Sequence, residues 1–120
     1  MSARMHLSPA NSSHPQEPST EQLADAAQIL GLLADRTRLA LLHTLGKGEA
    51  DVTTLTAACK VARPAVSQHL AKLRLAGLVL VRKEGRRMIY GLPESHLRKV
   101  VDEVLHLADH RLNGPTDTTN

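Results

Sequence analysis

The chain contains no tryptophan and no phenylalanine, a single tyrosine and a single cysteine. Without the large aromatics, nearly all burial must come from Leu, Val, Ile and Ala. A core of that kind, built in roughly ninety positions, gains from covering more surface against a partner. Homodimerisation is therefore expected before any motif is read. The lone Cys59 can form no intramolecular disulfide, which agrees with a reducing compartment. At the end of an apolar helix and without a second thiol, it reads as a buried structural residue. The want of an aromatic platform argues against RNA, whose unstacked bases are usually held on one. Long apolar runs are missing too. Stretches such as Leu39-Ala40-Leu41-Leu42 fall far short of the roughly eighteen residues that cross a bilayer, and no secretory pattern opens the chain. The expectation is a soluble, cytoplasmic protein with no membrane partner.

What is present is concentrated basic charge. From Lys60 to Arg87 stand eight basic side chains against Glu84 alone, a balance of +7, which leaves −4 for the rest of a chain whose net charge is +3. A basic block in an otherwise acidic chain is the footprint of a phosphate-binding surface, although a merely solvated face has the same composition.

The ends, residues 1–18 and 113–120, are rich in small polar residues and read as disordered tails around one domain over 19–112. Within it, Leu23, Ala26, Ala27, Leu30 and Leu33 have helical spacing, with Thr20 as N-cap and Glu21 in the first turn. Asp35 can cap a second helix whose Leu39, Leu42 and Leu45 face inward and which Gly46 and Gly48 stop. A short third helix follows from Thr53 to Cys59. The segment RPAVSQHLAKLRLAGL, from Arg63, starts with Pro64 in a first helical turn, buries Val66, Leu70 and Leu73, and ends at Gly77. After Gly77 the period changes: LVLVRK and RMIYGL are β-prone runs joined by Glu84-Gly85-Arg86, a hairpin. Pro93 then breaks the chain before a last helix that Glu94 or Ser95 could start.

Two helices separated by a short turn and followed by a basic hairpin have the winged-helix order. The predicted fold is thus mainly α with a small β-hairpin, a winged helix-turn-helix of order α-α-α-α-β-β-α, dimeric. The second helix of the pair enters the major groove of double-stranded DNA with Ala65, Ser67, Gln68 and Lys72 on its outward side and Arg63 near its start meeting a base or a phosphate, while Arg82, Lys83, Arg86 and Arg87 of the wing reach the flanking backbone or minor groove. His69, just before core Leu70, reads as a packing or phosphate contact rather than a metal ligand. His43, among leucines, reads as a packed residue.

LADRTRLALLHTL followed by RPAVSQHLAKLRLAGLVLVRKEGRRMIYGL resembles the ArsR/SmtB family of dimeric winged-helix, metal-responsive transcriptional regulators. The resemblance covers about residues 20–112, with AVSQHLAKLRLAGLV its most specific part. It implies an operator-binding homodimer and an effector that must be argued from the residues present. The thiolate site of arsenic-, cadmium- and lead-sensing members needs a close cysteine pair near the third helix, where this chain reads EADVTTLTAAC. That pair is absent.

The last helix, HLRKVVDEVLHLADH, holds three of the seven histidines. Leu97, Val100, Val101, Val104, Leu105 and Ala108 form an apolar stripe, whereas His96, Lys99, Glu103, His106 and His110 form a second seam. His96 and His110 lie about 21 Å apart along the axis, too far for one ion. Two such helices packed antiparallel across a two-fold axis would bring His96 of one chain to His106 or His110 of the other, with Glu94 and Asp109 as oxygen donors. Family members that sense zinc, nickel or cobalt carry their sites on this helix. Glu94-Ser95-His96 matches the first half of that pattern and Asp109-His110 resembles the second, but Leu107 stands where several members have histidine. His6 or His14 could complete a six-coordinate shell, which favours Ni(II), with Zn(II) or Co(II) as the other candidates.

Two other readings stand beside this one. A regulator of the same fold could sense no metal, its histidines solvated or tuned to pH. A small metal-dependent hydrolase would use the two histidines of HLADH, yet the chain lacks the adjacent glutamate of the zinc-protease motif and any evident nucleophile-base pair.

Overall fold

The computed structural model describes residues 17–114. His6, His14 and most of the two expected tails lie outside them. The described residues fall into two compact units divided between Gly31 and Leu32.

Helix α1 (Thr20–Leu33) makes up most of the described part of the first unit. Its N-cap is Ser19 rather than the expected Thr20. The Ser19 N–H donates to Gln22 Oε1 at 2.8 Å and the Gln22 N–H donates to Ser19 Oγ at 3.0 Å, a reciprocal capping box that satisfies two otherwise unpaired donors. Leu23 and Leu30 on this helix are exposed.

The second unit runs α2 (Arg36–Lys47), β1 (Ala50–Asp51), α3 (Val52–Cys59), α4 (Arg63–Leu75), β2 (Leu80–Glu84), β3 (Arg87–Gly91) and α5 (Ser95–Asn113). Helix α2 packs against α3, α4 and α5 and forms the hub. Asp35 caps it, accepting the Arg38 N–H at 2.9 Å, and that bond holds the Asp35 carboxyl below its ordinary range. Gly48 ends the helix, but Gly46 does not stop it as expected: it is a helical residue, and a Cβ there would lie 3.1 Å from Arg98 Cγ of α5. Its missing side chain lets α5 cross close by. Leu41 joins Leu42 and Leu45 in the core, while the expected Leu39 is half-buried.

Asp51 caps α3 and Lys60 ends it in the left-handed conformation (φ 57°), so that the chain turns through Val61 and Ala62 into α4. Pro64 stands in the first turn of α4, where no intrahelical donor is lost. Val66, Leu70 and Leu73 are fully buried beside Leu41, Leu42, Leu55 and Val79.

The hairpin pairs Leu80 with Gly91 through to Glu84 with Arg87, leaving a two-residue turn, Gly85-Arg86, in which Gly85 supplies the positive φ (64°). The sheet has a third strand that periodicity did not reveal. Ala50 and Asp51 pair antiparallel with Tyr90 and Ile89, giving the order β1-β3-β2 and tying the wing to the start of α3.

Helix α5 departs from the single apolar stripe expected of it. Leu97 and Val101 are buried and Leu105 half-buried, but Val100, Val104 and Leu107 are exposed (41%, 38% and 58%). One side of the helix is packed within the chain and the neighbouring side is not. Among the described residues no helix is long and apolar enough to cross a membrane.

Candidate nucleic-acid interface and metal-ligand helix

Burial of Val66, Leu70 and Leu73 turns the opposite side of α4 outward. Arg63, Ser67, Gln68 and Lys72 are exposed and Ala65 is half-buried, so a helix of the right length presents polar side chains from a rigid backing. Arg63 at its start donates from Nη1 to Thr53 Oγ1 of α3 at 3.1 Å. His69 is half-buried and its Nδ1 lies 3.2 Å from Arg38 Nη1, while Arg38 Nε donates to the Leu32 carbonyl. Arg38 thus ties the outward helix to the start of the second unit, a link that sequence spacing did not suggest.

The four basic residues of the wing divide into two pairs. Arg82 donates to Glu49 at 2.9 Å and to Glu84 at 3.0 Å, and Arg87 donates from Nε to Asp51 at 3.0 Å. The Arg82 guanidinium holds the Glu49 carboxyl below its usual range. Asp51 is held at about 2, first by the Thr54 backbone N–H and then by the Thr54 hydroxyl and Arg87. Lys83 and Arg86 pair with no carboxylate among the described residues. Two arginines therefore brace the wing and two basic groups stand free. Cys59 is half-buried, its Sγ 3.7 Å from Thr44 Oγ1.

On α5, Glu94 is both N-cap and partner of His96: its Oε1 accepts the His96 N–H and lies 2.6 Å from His96 Nδ1. The backbone bond holds the Glu94 carboxyl below its ordinary value. His96 is 88% exposed, and with Nδ1 facing Glu94 its Nε2 is the nitrogen left for another partner. His106, Asp109 and His110 are exposed toward the other end, Asp109 accepting from Asn113. Among the described residues no three His, Cys, Asp or Glu side chains of one chain converge on a point that could hold an ion. His43 differs from the packed residue expected: its side chain is 44% exposed, while Nδ1 itself is buried without a hydrogen-bond partner, 4.0 Å from Asp102 Oδ1.

A bare polar helix backed by a helix-turn-helix core and flanked by a three-stranded sheet with a basic tip defines a winged-helix DNA-binding protein. The model of bacterial regulatory proteins of the arsR family matches residues 35–81. The chain is 36% identical over 98 residues to the HTH-type transcriptional regulator KmtR of Mycobacterium tuberculosis, covering 82% of this chain and 75% of that protein. It is 37% identical over 106 residues to a transcriptional repressor SmtB homolog of Synechocystis, covering 88% and 78%. Among solved structures, the homodimeric winged helix-turn-helix DNA-binding domain Mb0332 of Mycobacterium bovis matches with a TM-score of 0.72 at 25% identity, over 89% of this chain and 99% of that one. The chain belongs to the ArsR/SmtB family. It is a DNA-binding transcriptional regulator and not an enzyme, which removes the hydrolase reading.

Proposed function

We propose that the chain is a homodimeric, cytoplasmic repressor that binds operator DNA through α4 and the wing, and whose operator affinity changes when Ni(II), or Zn(II) or Co(II) in its place, binds between the α5 helices of two protomers. The domain that does this spans residues 19–112. Ala65, Ser67, Gln68 and Lys72 face the major groove, Arg63 at the start of α4 meets a base or a phosphate, and Lys83 and Arg86 reach the flanking phosphates or minor groove from a wing that Arg82 and Arg87 hold in place.

The observation that carries the metal reading is the layout of α5. Its donors lie at two ends, Glu94 and His96 at one and His106, Asp109 and His110 at the other, with exposed Val100, Val104 and Leu107 between them. Among the described residues neither end is a complete site in one chain. An antiparallel pairing of two α5 helices covers the apolar residues and joins unlike ends, creating two equivalent sites per dimer. The imidazole and carboxylate donors suit a borderline divalent ion, and a fifth or sixth donor from His6 or His14 suits nickel or cobalt over tetrahedral zinc. Bound there, the ion supplies a cross-link between protomers. The protein residues do the rest: Glu94 orients His96, and the shared helices set the spacing of the two α4 helices against successive half-sites. Linkage then requires that metal and DNA alter each other's affinity by the same factor, about 5–150-fold for a coupling of about 1–3 kcal/mol. The family resemblance points to weaker operator binding in the metal-bound dimer.

The test is to titrate Ni(II), Zn(II) and Co(II) into the purified protein while measuring affinity for its own promoter, and to repeat it with His96→Ala and His110→Ala. The expected result is a metal-dependent change in operator affinity that both variants lose. Metal binding no tighter than micromolar, or variants that respond like wild type, would defeat the interfacial sensor. One observation favours the second reading, a regulator without metal: Glu94 Oε1 already serves as cap and partner of His96, a role that stabilises the helix with no ion present.

A further inference from the structure

We propose that Thr53, Arg63 and Arg86 form a seat for one phosphodiester of the DNA backbone, at the step where the strand passes from α4 to the wing. The inference rests on the DNA-binding reading above and names a contact within it, one that recruits a residue of α3 for which neither motif nor spacing gave a reason.

A cleft of about 160 Å³ opens between the first turns of α3 and α4 and the tip of the wing, lined among others by Thr53, Arg63, Arg86, Arg87 and Asp51. Three guanidinium groups border it against one carboxylate, and that carboxylate is committed. Asp51 Oδ1 accepts the Thr54 N–H at 2.8 Å and Oδ2 accepts Arg87 Nε at 3.0 Å, so Arg87 is neutralised in place and Asp51 cannot swing toward the other two. Arg63 and Arg86 have no carboxylate partner among the described residues, which leaves the cleft with two uncompensated positive charges. Arg63 is nevertheless aimed. Its Nη1 donates to Thr53 Oγ1 at 3.1 Å. A threonine hydroxyl that accepts from arginine keeps its own proton free to donate, so the pair presents an O–H and further guanidinium N–H groups to a third group. Two guanidinium groups and a hydroxyl proton lining one cleft, whose single carboxylate is already engaged, fit a tetrahedral oxyanion. A backbone phosphate is the occupant that the surroundings favour, because the cleft is bounded on one side by the start of the groove-facing helix and on the other by the wing. A phosphate held there would fix the register of both on the duplex.

The experiment measures the affinity of the full chain for promoter duplexes in which single phosphates are replaced, one at a time, by uncharged methylphosphonate. For wild type, one position per half-site should cost about tenfold through loss of the charge-assisted bonds. Arg63→Ala and Thr53→Val should bind the native duplex more weakly and lose less than about twofold further at that position, since the partner is already gone. Thr53→Ser keeps the hydroxyl and should keep the full loss, as should Lys72→Ala, which lies elsewhere on α4. Thermal melting of each variant checks that it is folded. If Arg63→Ala and Thr53→Val retain the whole tenfold loss at every position, there is no such seat. If inorganic phosphate competes with DNA beyond chloride at equal ionic strength, and does so without any methylphosphonate coupling, the cleft takes free phosphate and the assignment to DNA is overturned. Absence of wild-type binding to any promoter duplex would instead overturn the regulator reading itself.

Discussion

Asp51 performs two tasks with one carboxylate, capping α3 and holding Arg87 of the wing, while its backbone pairs with Ile89 in the sheet. Its carboxyl lies at about 2 in the folded chain, below the ordinary 3.8, because every partner favours the charged form. A depressed carboxyl contributes stability that is complete above the unfolded value and is lost as pH falls through the folded one. The contribution should therefore be intact above about pH 4 and fade between about pH 4 and pH 2. Asp51→Asn can still cap the helix but cannot carry charge. Its melting temperature should sit below wild type near neutral pH, and the gap should close as pH falls through that window. A gap that stays constant from pH 6 to about pH 2 would show that the charge of Asp51 is not what stabilises the wing. The cap was readable in principle from Asp51-Val52-Thr53-Thr54. The link to Arg87 was not, because it joins residues 36 apart.

Among the elements, the helix-turn-helix was the most legible because its signals are local. Pro64 in a first turn, Val66, Leu70 and Leu73 at helical spacing, and a break before Gly77 all report within one helix. Strand β1 was invisible since two residues have no period, and only pairing with Tyr90 and Ile89 makes Ala50 and Asp51 a strand. The turn between α3 and α4 contains the one non-glycine residue with positive φ among those described, Lys60 at 57°. A side chain in the left-handed region is strained, and glycine is the common helix C-terminal residue there. Lys60→Gly should raise the stability of the folded domain by roughly 0.5–1 kcal/mol, part of the relief being offset by the greater freedom of glycine in the unfolded chain. Chemical denaturation of the two proteins checks it; a lower midpoint in the variant would mean that Lys60 makes a contact worth more than the strain.

At the scale of the whole molecule the question is what covers α5. Val100, Val104 and Leu107 are a continuous exposed apolar side next to His96 and His110, and large apolar side chains in register usually meet a partner. Leu107→Glu should leave the chain folded, because that side chain is 58% exposed, yet shift sedimentation toward the monomer, weaken metal binding and reduce affinity for a two-half-site operator together. If the variant stays dimeric at micromolar concentration, the dimer is made elsewhere and the proposed pairing of donors fails. Charge acts at this scale as well. The +7 block of residues 60–87 predicts an operator affinity that falls steeply with salt, and Arg86→Ala should lower the slope of log affinity against log salt by about one. Arg82→Ala should lower affinity chiefly by releasing the wing from Glu49, with a slope close to that of wild type.

The amino-acid sequence determined by itself what depends on neighbours along the chain: the helices, the hairpin, the polar side of α4, and a last helix with donors at both ends. These follow from side-chain period and from turn residues, whose effects act within a few positions. Only the tertiary structure decided which of the wing arginines are spent on Glu49 and Asp51 and which stand free, that Gly46 belongs to α2 and makes room for Arg98, and that the apolar stripe of α5 is covered on one side only. The physical reason is the same in each case. Ion pairs, close approaches and burial depend on distances between segments far apart in the chain, and one-dimensional periodicity contains no such distances.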